Sequence, residues 1–435
     1  MTTADPQSTF VDEKLPGKAH SQSSTKEAII KDIPLSELSQ APDGGLEAWL
    51  VATGGAFIFF CGLGFANSFG VFQEYYMTNQ LAGESADRIA WIGSLGVFLQ
   101  FFAGTVAGPL FDKYGAWIIR PGAVIFIFAV MITSICKQYW HFMLVQGVIL
   151  GTGMGLMVFP AMTAVSQFFD KKRAAALGLA VSGSSIGGIV MPIALSKMLR
   201  SSLGFGWSVR ILGFIMLPFL IVAIFTVKAR LPPSTSPFFL ASAWKDRTYV
   251  LLVFAVFFVF IGMFTPLFYL PSYAVSRGMD ANLASYMLAI LNGASTFGRI
   301  LPGVLADKFG RINILAAAGL ANGIVIFCFN EVTTTAEIVV YAVFFGFTSG
   351  MIISGGSAAV TICPKDPREM GTWLGMALAV ASIAGLIGPP INGALVDKYH
   401  GFFEVAIFSG TMCVFGGFLA LAAKKATGKG MLALV

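Results

Sequence analysis

An all-α polytopic membrane protein, with twelve transmembrane helices in two parallel six-helix halves, is the fold class this chain predicts, on three observations. Apolar residues fill 56% of its 435 positions and charged residues only 11%, with a mean hydropathy of +0.78, whereas soluble domains carry about a quarter charged residues. The apolar residues gather into twelve runs, each long enough to cross about 30 Å of hydrocarbon as a helix of about 20 residues. The runs are continuous rather than alternating, which selects helices over a barrel. The third observation is a repeat: Leu177-Gly178-Leu179-Ala180 through Ser185-Ile186-Gly187-Gly188 to Pro192 returns as Leu374-Gly375-Met376-Ala377 through Ser382-Ile383-Ala384-Gly385 to Pro389. A second pair, Gly108-Pro109-Leu110-Phe111-Asp112-Lys113-Tyr114-Gly115 and Gly303-Val304-Leu305-Ala306-Asp307-Lys308-Phe309-Gly310, has nearly the same offset. Spans one to six therefore match spans seven to twelve in parallel.

In chain order, residues 1–48 mix Ser, Thr, Pro and both charges without an apolar period, the composition of a disordered tail. They contain no short apolar stretch before a small-residue cleavage site, so no signal peptide is expected there. The first half, 49–228, holds runs at about 50–73, 89–111, 117–136, 139–167, 174–197 and 207–228. A Pro/Ser-rich connector, 229–248, leads to the second half, 249–424. Its runs lie at about 249–273, 283–305, 312–330, 337–360, 370–396 and 402–423, before a short tail at 425–435.

The net charge of +6 invites a nucleic-acid reading, but its distribution describes topology. Of the 28 Lys and Arg, 20 fall on the side shared by both termini, seven on the other, and Arg299 inside a span. The positive-inside bias thus predicts cytoplasmic termini and no nucleic-acid partner. Lys197, Arg200 and Arg210 run against that bias, on the far side between spans five and six. Cys61, Cys136, Cys328, Cys363 and Cys413 are scattered without Cys-x-x-Cys spacing, as small apolar side chains are, so neither a metal nor a disulfide framework is expected. The glycine pairs Gly104/Gly108, Gly151/Gly155 and Gly183/Gly187 lie inside spans, where they suit close helix packing rather than a phosphate loop. No cofactor is implied.

Arg299 is the leading site candidate. A charge at that depth costs about 2.5 to 3.5 kcal/mol on insertion scales and usually faces a bundle interior or watery cavity. Asn292, Ser295 and Arg299, at i, i+3 and i+7, share one helix face, and the planar guanidinium suits an anionic or carbonyl-rich ligand. The competing reading has Arg299, about five residues to the terminal side of its run's middle, snorkelling toward Asp307 or Asp112 as a clasp. Tyr269, with Phe264 and Phe268 near Pro266 and Pro271, is a candidate wall of an aromatic cavity. Gln100, Gln146 and Asn322 read as hydrogen-bonding glue between helices.

The duplicated turn has its own chemistry. Gly lets helices approach closely, Asp can cap a neighbouring helix N-terminus, and Lys can pair across the halves. Asp112, Lys113, Asp307 and Lys308 are accordingly gate candidates. Twelve spans in two parallel halves, with this turn after spans two and eight, resemble the major facilitator superfamily. Asp43-Gly44-Gly45-Leu46-Glu47-Ala48-Trp49, and Phe168-Phe169-Asp170-Lys171-Lys172-Arg173 followed by Ala176 to Ser184, resemble signatures of its monocarboxylate porter family. The match is to the fungal branch, which includes riboflavin and secondary-metabolite transporters.

The resemblance implies a secondary carrier that rocks its halves around a midplane site. It would work as a monomer in the lipid bilayer, most simply the plasma membrane, on a small-molecule substrate with a proton as candidate co-substrate. Porters of this kind couple the proton through a span-one lysine and a span-eight Asp-x-x-x-Arg. Arg299 matches that arginine, but Ser295 stands at the aspartate position and Asn67 at the lysine position, so two of three coupling groups are missing. The functional expectation is transport of a small organic anion or monocarboxylate-like metabolite, with Arg299, Asn292, Ser295, Asn67 and Tyr269 around it. Secondary-metabolite efflux is the close rival, and a non-transporting nutrient sensor on the same fold is the alternative of another class. No nucleophile–base pair or Walker-type loop points to an enzyme or an ATP-driven pump.

Overall fold

The computed structural model describes residues 1–2, 41–84, 86–232, 239–280, 283–284, 286–428 and 430. Most of the expected N-terminal tail, the middle of the connector and most of the C-terminal tail lie outside the described residues. Within them every regular element is helical. In chain order the spanning helices are α1 (Gly45–Thr78), α2 (86–114), α3 (Ile119–Thr133), α4 (Tyr139–Phe168), α5 (Arg173–Leu199) and α6 (Gly204–Thr226), then α7 (Arg247–Ser276), α8 (Met287–Phe309), α9 (Arg311–Phe327), α10 (Thr335–Val360), α11 (Met370–Tyr399) and α12 (Phe403–Ala426). Eleven described stretches are long and apolar enough to cross a membrane, and one of them, Trp91–Thr133, joins two crossings through a 3-10 turn at Gly115–Ile118. All twelve predicted spans are therefore present.

One register differs. Helix α8 lies a turn later than its apolar run, ending where Gly310 turns to φ 95°. The run stopped at the charged pair Asp307-Lys308, yet those residues stay helical. Arg299 consequently sits near the middle of its helix rather than toward one end.

Buried apolar side chains form two cores, one drawn mainly from the first half and one from the second, as the duplication requires. Lipid is as apolar as the helices, so close backbone contact rather than water exclusion drives their association. A Cβ on Gly183 would lie 2.0 Å from the Ala56 carbonyl oxygen, and one on Gly187 2.4 Å from that of Phe60, so α5 meets α1 backbone to backbone.

The two porter-like signature stretches converge at the start of these helices. Asp43 Oδ1 accepts from the amides of Asp170 (2.7 Å) and Lys172 (3.2 Å), and the Asp43 amide donates to the Phe168 carbonyl (3.2 Å). Asp43 itself takes φ 52° and Gly45 φ 86°, conformations that a short polar side chain and glycine tolerate best. Asp43→Ala is expected to destabilise the protein by about 1 to 2 kcal/mol, and Asp43→Asn, which keeps an acceptor and tolerates this φ, by less. Thermal unfolding of the purified protein in detergent checks the order.

Candidate functional site

The duplicated turns lock the two halves at the face where α1 begins and α12 ends, called here the terminal face. Asp112, at the end of α2, accepts from the amides of Gly371 (3.1 Å) and Thr372 (2.7 Å) and from the Thr372 hydroxyl (2.7 Å) at the start of α11. Asp307, at the end of α8, accepts from the amides of Ala174 (3.0 Å) and Ala175 (2.9 Å) at the start of α5. Each carboxylate thus meets free N–H groups and the positive end of a helix dipole in the opposite half. The glycine four residues earlier makes room: a Cβ on Gly108 would lie 2.1 Å from the Gly371 carbonyl oxygen, and one on Gly303 2.7 Å from that of Ala174.

Arginines complete the seal. Arg311 bonds Asp307 (3.3 Å) and the Asp170 carbonyl, and Arg173 Nη1 donates to the Thr361 carbonyl (3.1 Å). The two lysines do not pair across the halves as the motif's chemistry suggested. Lys113 and Lys308 are exposed, neither forms an ion pair with a described residue, and Lys113 lies 5.3 Å from the ring of its neighbour Tyr114. Each follows its aspartate by one residue, hence about 100° around the helix and away from the partner.

Above this seal a cavity of about 900 Å³ lies between the halves. It reaches the opposite face, where Met77, Lys197, Arg200, Val275 and Tyr286 line it. Phe59, Phe101, Phe159, Phe260, Phe264 and Phe268 give it aromatic walls. Asn67, Asn292, Ser295 and Arg299 all line it as well, so four of the five expected substrate contacts come together.

Arg299 is 5% exposed. Its Nη1 donates to the Val181 carbonyl (2.8 Å) and to the Ser184 hydroxyl, both on α5, while its Nε has no partner among the described residues. Neither Asp112 nor Asp307 receives it, so the snorkelling reading is replaced: Arg299 is both a cavity lining and a clasp between α8 and α5. No described carboxylate pairs with it, and among the described residues lining the cavity there is no acid. A buried cation without a counter-ion is costly, and an anionic ligand would supply the missing partner. Beside it Asn292 Nδ2 donates back to the Leu288 carbonyl (2.8 Å) and Asn67 Nδ2 to the Ser184 carbonyl (3.4 Å). Both amides crowd the same point of α5, where a Cβ on Gly188 would lie 2.6 Å from Asn67 and 3.0 Å from Asn292.

Tyr269 is the exception. It is not among the cavity-lining residues, and its hydroxyl donates to the Pro389 carbonyl on α11 (3.0 Å). On α7 the cavity face is traced by Phe260, Phe264, Leu267, Phe268, Pro271 and Val275, and position 269 lies about 100° beyond Phe268. Gln100 departs from the glue reading: it lines the cavity, is 1% exposed, and neither amide atom has a partner among the described residues. Gln146 and Asn322 do bond other helices, Gln146 accepting from Tyr76 (3.0 Å) and Asn322 from Thr348 (2.8 Å). Ser184 escaped sequence reasoning. It lies within the span-five signature beside Ser182 and Ser185, and the sequence carries no sign of which of the three meets another helix. The widened π-helical turn Met143–Leu150 in α4, which brings Gln146 and Leu150 to the cavity wall, left no sequence trace either.

Twelve helices in two locked halves around a central cavity have the architecture of a secondary transporter. Comparison with known proteins gives the family. Residues 55–361 and 300–430 match the Major Facilitator Superfamily. The chain is 49% identical over 414 residues to the aspyridones efflux protein apdF of Emericella nidulans, covering 94% of this chain and 85% of that one. It is 38% identical over 393 residues to the agnestins efflux protein AgnL12 of Paecilomyces divaricatus, covering 88% and 89%. Among solved structures, the human organic anion transporter MFSD10 (TETRAN) matches with a TM-score of 0.65 at 14% identity over 87% of this chain and 100% of that one. The proton:xylose symporter XylE matches with a TM-score of 0.68 at 14% identity over 86% and 94%. The chain belongs to the major facilitator superfamily and is a transporter, not an enzyme.

Removing both latches should open the terminal face. In a cysteine-free background, Ser357→Cys is expected to react with a membrane-impermeant thiol reagent at least about tenfold faster from the terminal side once Asp112→Asn and Asp307→Asn are added. That corresponds to losing about 1.4 kcal/mol of the closed state, and labelling of inside-out and right-side-out vesicles measures it.

Proposed function

We propose that this transporter exports an amphipathic organic acid, a secondary metabolite of drug-like size, by alternating access. The observation that carries the reading is the pairing of aromatic walls with Arg299, a cation with no described carboxylate partner, at one end of a cavity whose described lining holds no acid. An apolar body would bury its surface against the phenylalanines, worth about 25 cal/mol per Å². A carboxylate or enolate would pair with the Arg299 guanidinium by charge-assisted hydrogen bonds. A volume of about 900 Å³ lies near the top of the range for drug-sized ligand sites, which favours a metabolite with several rings over a three-carbon acid. The efflux names of the two fungal relatives support the same direction.

The placement of Lys and Arg supports a cytoplasmic terminal face, and a monomer in the plasma membrane suits export. The porter-like signatures at Asp43 and Phe168 support a place in the fungal branch of the monocarboxylate porters. Asn67 and Ser295 line the cavity but do not titrate, so the proton relay of that family is not carried by these positions; Arg299 is retained here as a binding group.

In yeast expressing the transporter, Arg299→Ala is expected to slow the initial efflux of loaded aromatic acids at least about tenfold, about 1.4 kcal/mol in barrier, at equal surface amount. Arg299→Lys should recover part of the rate. Efflux by the alanine variant within twofold of wild type would sink the proposal.

A further inference from the structure

The three cations that break the positive-inside pattern separate in the structure. Arg210 has local partners, its Nε donating to the Ser134 hydroxyl (3.0 Å) and its guanidinium lying 5.2 Å from the Trp207 ring centroid. Lys197 and Arg200 are different: both are exposed, neither forms an ion pair with a described residue, and both line the cavity where it reaches the face opposite the termini. They are three residues apart, on one side of the last turn of α5. We infer that Lys197 and Arg200 form an anion-binding rim on the exit side, a second site that holds the carboxylate of the exported organic anion between Arg299 and bulk water and that anions entering from that side also meet first.

The inference rests on the organic-anion reading above and adds a step to it. Arg299 meets α5 at Ser184. At 1.5 Å rise per residue, Lys197 and Arg200 lie about 20 and 24 Å further along that helix. The screening length at physiological salt is about 8 Å, so Arg299 cannot attract an anion from outside the cavity. The rim can, and charges at the mouth of a low-dielectric cleft raise local counter-ion concentration. Both residues also sit near a helix C-terminus, where a cation stabilises the helix by complementing its dipole. That role would act equally on neutral and charged ligands, which makes the two separable.

The full-length protein in phosphatidylcholine nanodiscs, probed with 1-naphthoate and its neutral counterpart 1-naphthamide, provides the test. In stopped-flow binding at about 20 mM salt, Lys197→Glu with Arg200→Glu is expected to slow naphthoate association at least about fivefold, and the gap should close at about 500 mM salt. Naphthamide association should not change, and Lys197→Gln with Arg200→Gln should fall between. An unchanged naphthoate rate at low salt, or equal slowing of the amide, overturns the rim. If added phosphatidylserine slows naphthoate in wild type but not in the glutamate variant, lipid headgroups occupy the rim and the inference is also lost. A rim failure leaves Arg299-dependent preference for naphthoate over naphthamide intact. Absence of that preference in the wild type overturns the organic-anion reading and the rim together.

Discussion

Two carboxylates seated on helix N-termini of the opposite half hold this structure in its present state. Every helix begins with N–H groups that lack intrahelical partners, and in a low-dielectric setting a carboxylate satisfies them while complementing the dipole. Asp112 does this for α11 and Asp307 for α5. The same bonds on a water-exposed surface would be worth little. Here they require the halves to touch, because Gly108 and Gly303 admit the partner backbone only at contact distance. The cavity reaches the opposite face because this end is closed.

The site follows from what that closure leaves open. Asn67 and Ser184 come from the first half, Asn292, Ser295 and Arg299 from the second, and all line a space that exists only between them. Arg299 supplies charge without a carboxylate partner, and the phenylalanines supply non-directional burial. One placed charge and a broad aromatic surface thus face the same space.

Much of this was legible in the chain. Twelve helices followed from apolar runs alone, the halves from the repeat, and a cavity-lining residue from one arginine where charge is costly. The capping role of Asp112 and Asp307 followed from the chemistry of the turn. Other features depend on tertiary contact. The register of α8 was misplaced because an apolar run stops at Asp307-Lys308, whereas the helix continues so that Asp307 can reach α5. Tyr269 was placed on the cavity by its neighbours Phe264 and Phe268, but helical rotation turns it to α11. Gln100 looked like a polar tie and has no partner, while Ser184 looked like nothing and touches the central cation. In each case composition named the group, and only the facing helix decided its use.

Helix α8 carries both Arg299 and Asp307, eight residues apart, or about 12 Å along one rigid rod. Both grip α5, at Val181 and Ser184 in one case and at Ala174 and Ala175 in the other. No comparable pair links α2 to α11, where Asp112 latches without a buried arginine on the same helix. The carrier is therefore mechanically lopsided despite its duplicated plan: along the α5–α8 seam, a tilt that frees the latch also drags the cavity's buried cation past its carbonyl, whereas the α2–α11 seam can part without disturbing it.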